Sequence, residues 1–263
     1  MSGRKICGIS LIVLFALISG FVVFLSKQYV VPILMYHSVN PNALAENRLA
    51  VSVESFQRQM RFLKEHRYNV LPLEELARLI KEKKKIPRRT VAITFDDGYK
   101  DNYVYAFPIL KKYNLAATIF IIVDEVGRPQ GDRLSWDEII KMRDSGLISF
   151  GSHTLTHKYL TEIEDEEDLR KEIFGSKRIL EEKLAQPVNL FCYPGGNFNS
   201  FIRKLVIEAG YQYAVATNPG KNYPSDDIFA LKRIRISSTA NNLLVFWFEI
   251  SGFYTFFKEH RHK

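Results

Sequence analysis

The chain has 263 residues, 46% of them hydrophobic, and a formal charge of +8 from 37 Lys and Arg against 29 Asp and Glu. The length allows one large domain or two small ones with a sizeable core. The charge favours anionic surroundings such as a membrane face or an acidic polymer. The basic residues fall in separate clusters, "KEKKKIPRR" (81–89) and "KEHRHK" (258–263), with no recognised nucleic-acid module, so no nucleic-acid partner is expected. Cys7 and Cys192 are the only cysteines and have no plausible pairing within one chain, which excludes a disulfide scaffold.

The first element is "ICGISLIVLFALISGFVVFL" (6–25), uncharged throughout and preceded by Arg4 and Lys5. Roughly 20 apolar residues cross a bilayer as a helix, and the leading cations hold a short N-terminus in the cytoplasm. The segment is longer than most cleavable signal sequences, and no clear A-x-A site follows it. The expectation is a stub and transmembrane signal anchor over 1–28 and one domain over 29–263, outside the cytoplasm in a single-pass protein. Secretion after signal cleavage is the alternative, and a buried core helix a poor third.

Strand-like runs then alternate with amphipathic stretches. Strands are expected at 31–36, 68–71, 91–95, 117–122, 147–151, 189–193, 211–217 and 230–236. Between them, 53–66 carries Phe56, Met60 and Leu63 at helical spacing. The stretches 73–83 and 102–113 follow, with Pro108 marking a kink or a late start in the second. The stretch 135–146 opens with Ser135 and Glu138 in capping-box spacing. A long helix is expected over 164–184, and another over 200–210. The aromatic run 243–257 reads as a core helix, with contact to lipid as the lesser reading. The repeated strand–helix rhythm predicts an α/β fold with a parallel sheet, and seven or eight repeats fit a barrel better than an open sheet.

The polar residues fall at strand ends. His37 follows the first strand, Asp96 and Asp97 the third, His153 and His157 the fifth, and "YPGGN" (193–197) the sixth. In a (β/α) barrel those ends share one rim, where active sites are built. Asp-Asp-Gly alone is also good turn chemistry. His-x-x-x-His, placed on one face of a helical turn, together with one carboxylate makes a metal site with an open position. The second carboxylate is then placed to accept a proton from a water activated there. Amide hydrolysis also needs an acid, for which His37 is the candidate, and an oxyanion donor, for which a backbone N–H of Tyr193–Gly196 is the candidate.

Together "TFDDGY", "SHTLTH", "LSWDEI" and "FCYPGG" resemble the polysaccharide deacetylases, the chitin-deacetylase-like carbohydrate esterases, over about Pro32 to Arg235. "LMYHSV" (34–39) resembles the poly-N-acetylglucosamine deacetylase branch, in which an early histidine stands in for a late one. The resemblance implies a distorted (β/α)7-type barrel, a divalent metal ion (zinc first, other transition metals open) and removal of acetyl groups from an N-acetylated glycan. It implies Asp96 as catalytic base and Asp97, His153 and His157 as metal ligands, with His37 as the acid by analogy. Tyr193, Pro194, Gly195 and Trp136 are the candidates for substrate or oxyanion contact, although Trp136 equally suits a core position at a helix start. Two departures matter: "FCYPGG" lacks the arginine that many members use to orient the base, and the late Leu-x-His that supplies the acid in many members does not follow the last strand, where only His260 and His262 of the basic tail remain. An O-acetyl esterase with the same site and an inactive carbohydrate-binding homologue are the alternatives. A glycosidase fits worse, because its carboxylates flank the bond about 5 Å or more apart. The oligomeric state is not legible.

Overall fold

The computed structural model describes residues 28–43, 46–129 and 131–260, and only positions 17, 19, 20, 23 and 24 before them. Arg4, Lys5, Cys7 and most of the expected membrane segment therefore lie outside the described residues. Among the described residues no helix is long and apolar enough to cross a membrane.

In chain order the elements are β1 (Ile33–Tyr36), β2 (Ser38–Val39), β3 (Ala50–Val51), α1 (Val53–Glu65), β4 (Asn69–Val70), α2 (Leu73–Lys81), β5 (Thr90–Phe95), α3 (Phe107–Tyr113), β6 (Ala117–Ile121) and α4 (Trp136–Asp144). They continue with β7 (Ile148–Ser152), α5 (Glu166–Arg170), α6 (Ser176–Leu184), β8 (Leu190–Cys192), α7 (Ser200–Glu208), β9 (Tyr213–Val215), β10 (Ile234–Arg235), α8 (Leu243–Glu249) and α9 (Tyr254–His260). The main sheet runs β10-β1-β5-β6-β7-β8-β9, with β4 also on β5, and every pair is parallel.

The sheet is curled, consistent with the distorted barrel expected. The segment read as one strand over 230–236 serves both of its edges. Leu231 bridges to Val215 beside β9, and Arg233 N–H bonds to Thr217 O, while Ile234 and Arg235 pair with Leu34 and Met35 of β1. β1, β5 and β6 are buried on both faces, as parallel strands covered by helices must be. One buried cluster joins Ile33, Ala92, Phe120, Leu190, Val215 and Leu231 of the sheet region to Leu73 and Leu76 of α2. Gly151 makes room for the Phe120 ring, because a Cβ there would lie 2.5 Å from it.

The local signals mostly hold. Phe56, Met60 and Leu63 are buried on α1, and the Ser135–Glu138 capping box is formed. Pro108 sits in the first turn of α3, the late start, after a π-helical turn over Asn102–Ala106. The long helix expected over 164–184 is instead divided by a second π turn, Lys171–Gly175. The run 243–257 is not one core helix. It breaks at Gly252, whose φ of +83° and close approach to the Tyr29 ring leave no space for a side chain. Only Phe246 and Ile250 of its apolar residues are fully buried, and Leu244 and Trp247 remain 75% and 54% exposed.

Candidate active site

β5 delivers Asp96 and Asp97 together, and the structure separates their roles. Asp96 is buried and receives two hydrogen bonds from Arg233, Nη1 to Oδ1 at 2.6 Å and Nη2 to Oδ2 at 2.7 Å. Asp97 has φ +69° and Gly98 φ +63°, so the chain turns sharply and sends the second carboxylate elsewhere. Asp tolerates that region better than most residues, and glycine freely. Asp97 Oδ1 lies 3.5 Å from His153 Nε2 and 3.6 Å from His157 Nε2. Like-charge repulsion between the two neighbours is thus offset on one side by a guanidinium and on the other by two imidazoles.

Arg233 is the residue that the sequence reading missed. It is 2% exposed and reaches Asp96 from a point 137 residues further along the chain. Its remaining donors go to Thr94 Oγ1, Ala216 O and Cys192 Sγ, which fixes the fork in the plane of the Asp96 carboxylate. Burial alone would raise the Asp96 pKa. Arg233 outweighs it and, with His153 and His37, holds the carboxyl well below the usual carboxylate range. Asp96 is therefore ionised at any working pH. Cys192, 3.8 Å from Asp96, is a buried free thiol whose pKa burial pushes well up, so it sits here as a neutral wall.

The two histidines are not on a helical turn, as their spacing suggested. They lie on a loop in which Thr154 and His157 have φ +66° and +65°, and their rings meet edge to face at 4.6 Å. Buried Glu172, in the second π turn, holds that loop by accepting from Leu155 N–H and Thr156 N–H at 2.9 Å each and from the Thr156 hydroxyl at 2.5 Å. π turns recur at functional sites for this kind of reason: one extra residue re-aims a side chain. The first π turn does the same for His37. Asn102 donates to His37 O at 2.8 Å, while Asp101 accepts from Ser38 Oγ at 2.5 Å and Val39 N–H at 3.2 Å.

The residues fit a divalent cation. One ligand atom from each of Asp97, His153 and His157 lies within 4.8 Å of the others. Tetrahedral ligands at about 2.0–2.2 Å from an ion stand about 3.3–3.6 Å apart, close to the observed Asp97–His separations. His153 Nδ1 lies 2.9 Å from Cys192 O, so it donates there and leaves the Nε2 lone pair for a metal. Asp96, His153 and Cys192 also cluster within the same limit, but a neutral buried thiol and a carboxylate committed to Arg233 make that set a poor cage.

His37 is buried, and its Nδ1 has no partner among the described residues. Burial lowers its pKa below the ordinary histidine value, against the pull of Asp96 and Asp97. The nearby carboxylates that an acid here requires are therefore present, but they do not prevail over burial. In the glycine turn, Tyr193 N–H is bonded to Val215 O, Gly196 N–H to Tyr193 O, and Pro194 has none. The Tyr193 side chain is buried and stacked on Phe198 at 4.4 Å. Tyr193 and Pro194 thus shape the turn, and the Gly195 N–H is the donor it leaves over among the described residues. Trp136 opens α4 half-buried against the core, with Lys183 Nζ 6.0 Å from its ring centre.

A curled parallel α/β sheet thus carries a buried Arg–Asp pair beside an Asp–His–His group with the spacing of metal ligands. The family model described as "Polysaccharide deacetylase" matches residues 83–214. A Bacillus subtilis (strain 168) protein, YxkH, whose own naming as a polysaccharide deacetylase is provisional, is 35% identical over 211 residues, covering 80% of this chain and 73% of its own. The poly-beta-1,6-N-acetyl-D-glucosamine N-deacetylase of Staphylococcus aureus (strain MRSA252) is 31% identical over 206 residues, covering 74% of this chain and 71% of its own. Among solved structures, the Streptococcus pyogenes deacetylase PplD in complex with acetate superposes with a TM-score of 0.73 at 29% identity, covering 82% of this chain and 97% of that one. The chain belongs to the polysaccharide deacetylase family, and it is a hydrolase of that family.

Proposed function

We propose that the chain is a metal-dependent polysaccharide de-N-acetylase acting on an N-acetylated cell-envelope or extracellular glycan. The observation that supports this most is the paired arrangement at the end of β5. Asp96 is ionised by Arg233, directly beside a ligand set of Asp97, His153 and His157. When bound there, a divalent ion (zinc first) supplies Lewis acidity and makes water a better nucleophile near neutral pH. Asp96 accepts the proton of the attacking water. The Gly195 N–H donates to the oxygen of the acetamide carbonyl as negative charge builds on it. His37 gives a proton to the departing nitrogen, a role open only to its protonated fraction, which burial makes smaller near neutral pH. Water adds to the carbonyl carbon, the C–N bond breaks, and acetate and a free amine leave. The amide-cleaving relative from Staphylococcus aureus favours nitrogen over oxygen as the leaving atom.

The chain further divides, in this reading, into an anchor over 1–28 and the catalytic domain over 29–263, a distorted (β/α)7-type barrel held outside the cytoplasmic membrane. The support is the uncharged run 6–25 behind Arg4 and Lys5. A reporter fused after Lys263 that works only outside the cytoplasm should be active, and activity of a cytoplasm-only reporter would reject the topology. For the chemistry, purified protein incubated with N-acetylglucosamine oligomers should release acetate and free amine in equal amounts. Acetate released only from O-acetylated glycans, with no new amine, would overturn the amidase assignment.

A further inference from the structure

A cavity of about 430 Å³ opens at the carboxyl ends of β9 and β10, and its lining contains none of the four residues of the Asp96–His157 site. Its floor touches that site's surroundings. Thr217, just after β9, packs on the glycine turn so closely that a Cβ on Gly196 would lie 2.7 Å from Thr217 N. Ser237, just after β10, lies on the same rim as His37, since Ile236 N–H bonds to Met35 O. The cavity therefore neighbours both the oxyanion turn and the candidate acid.

Its walls are chemically unusual. Arg48, Arg235 and Lys258 converge on it, and none has an ion-pair partner within 4.0 Å among the described residues. Burial first, then Arg235, lowers the Lys258 pKa; Glu249 opposes this and Arg48 adds to it. Glu249 lines the same cavity at 4% exposure, and its Oε2 has no hydrogen-bond partner among the described residues. Leaving a buried carboxylate oxygen unpaired is costly, and three unmatched cations repel one another. Both conditions are relieved by a ligand that brings a hydroxyl donor and an anion together. Tyr254 and Phe257 add ring faces to the wall, and the volume falls within the range of small-molecule sites.

We propose that this cavity is a glycan subsite, taking the sugar unit next to the one deacetylated and selecting a unit that carries an anionic substituent, a carboxylate or a phosphate ester. The proposal rests on the deacetylase reading for its substrate. Arg235, Arg48 and Lys258 pair with the anion, and Glu249 accepts from a hydroxyl of the same unit.

Equilibrium binding to the full chain, by calorimetry in detergent, tests this without turnover. The probes are three oligosaccharides of equal length: a neutral N-acetylglucosamine oligomer, one with lactyl-ether carboxylates on alternate units, and one with phosphate esters there. The expected result is binding of one or both acidic oligomers at least about tenfold tighter than the neutral one, as charge-assisted hydrogen bonds allow. The acidic oligomer that binds tighter identifies the substituent. Salt should erode the preference. Arg48→Gln with Arg235→Gln, both at exposed positions, should bring the ratio of the two Kd values close to one. Equal binding of all three probes by the unmodified chain, or a ratio unchanged in the double variant, overturns the proposal. Acidic preference without acetate release from any probe would leave the subsite standing and remove the deacetylase reading instead.

Discussion

Replacing Arg233 with methionine should be the most informative single change. The side chain is similar in length but removes both bonds to Asp96, of 2.6 and 2.7 Å, and leaves a buried carboxylate without its countercharge. Breaking a buried ion pair from one side costs about 3–5 kcal/mol, a large share of the roughly 5–15 kcal/mol that holds a domain folded. Urea unfolding should show a loss of that size at pH 7. The folded Asp96 pKa lies below its unfolded value near 3.8, so the pair's contribution is fully present above that value and is lost as pH falls through the folded one. The difference between the two proteins should therefore shrink as pH falls from the variant's higher Asp96 pKa toward the lower one of the unmodified chain. Burial then governs Asp96 in the variant and raises its pKa, so the acid limb of acetate release should move toward neutral. Asp96→Asn combined with Arg233→Met should recover much of the stability and none of the activity. A single-variant loss below about 1 kcal/mol with an unmoved acid limb would refute the reasoning.

Further outcomes follow from the same contacts. His37→Gln should collapse amide cleavage while sparing an aryl acetate ester, whose leaving group needs little protonation; equal losses on both would assign His37 to binding or structure. Glu172→Ala removes three hydrogen bonds from the histidine loop and should cost about 2–3 kcal/mol. It should also weaken metal retention in a chelator titration, with Glu172→Gln recovering part of both. Burial pushes the Glu249 carboxyl from 4.5 up to about 7, so its protonated form favours folding and that advantage is lost as pH rises through about 7. Glu249→Gln should thus melt higher than the unmodified chain at pH 8, by up to about 3 kcal/mol, and nearly the same at pH 4.5.

Much of the site was legible because each candidate sits at the end of its own strand. Apolar runs ending in "DDG", "SHTLTH" and "YPGG" mark one rim of a parallel sheet, and Asp96, Asp97, His153 and His157 do meet there. What orients Asp96 was not legible, because Arg233 acts across 137 residues and no local spacing encodes that pairing. A signal did exist. "KRIRI" (232–236) places three cations in a run otherwise read as a strand, and cations there demand partners. Lys232 finds Glu259 at 2.8 Å, Arg233 finds Asp96, and Arg235 faces the cavity. The histidine spacing misled for the opposite reason: four residues apart suits a helix, but hydrogen bonds to Glu172 hold the segment as a loop. The aromatic run 243–257 carried no periodicity that separated one buried helix from two short ones, and Gly252 decided between them.

The central claim, an amidase built on Asp96 beside a metal held by Asp97, His153 and His157, is tested most directly by one paired measurement. Acetate release from an N-acetylglucosamine oligomer and metal content per chain should be followed together in the unmodified chain, in Asp96→Asn and in His153→Ala. The unmodified chain should hold near one divalent ion and lose activity to a chelator. Asp96→Asn should keep the ion and lose about 10²–10⁴-fold in rate, and His153→Ala should lose both. Full activity after complete metal removal, or an Asp96→Asn protein as fast as the unmodified one, would contradict it.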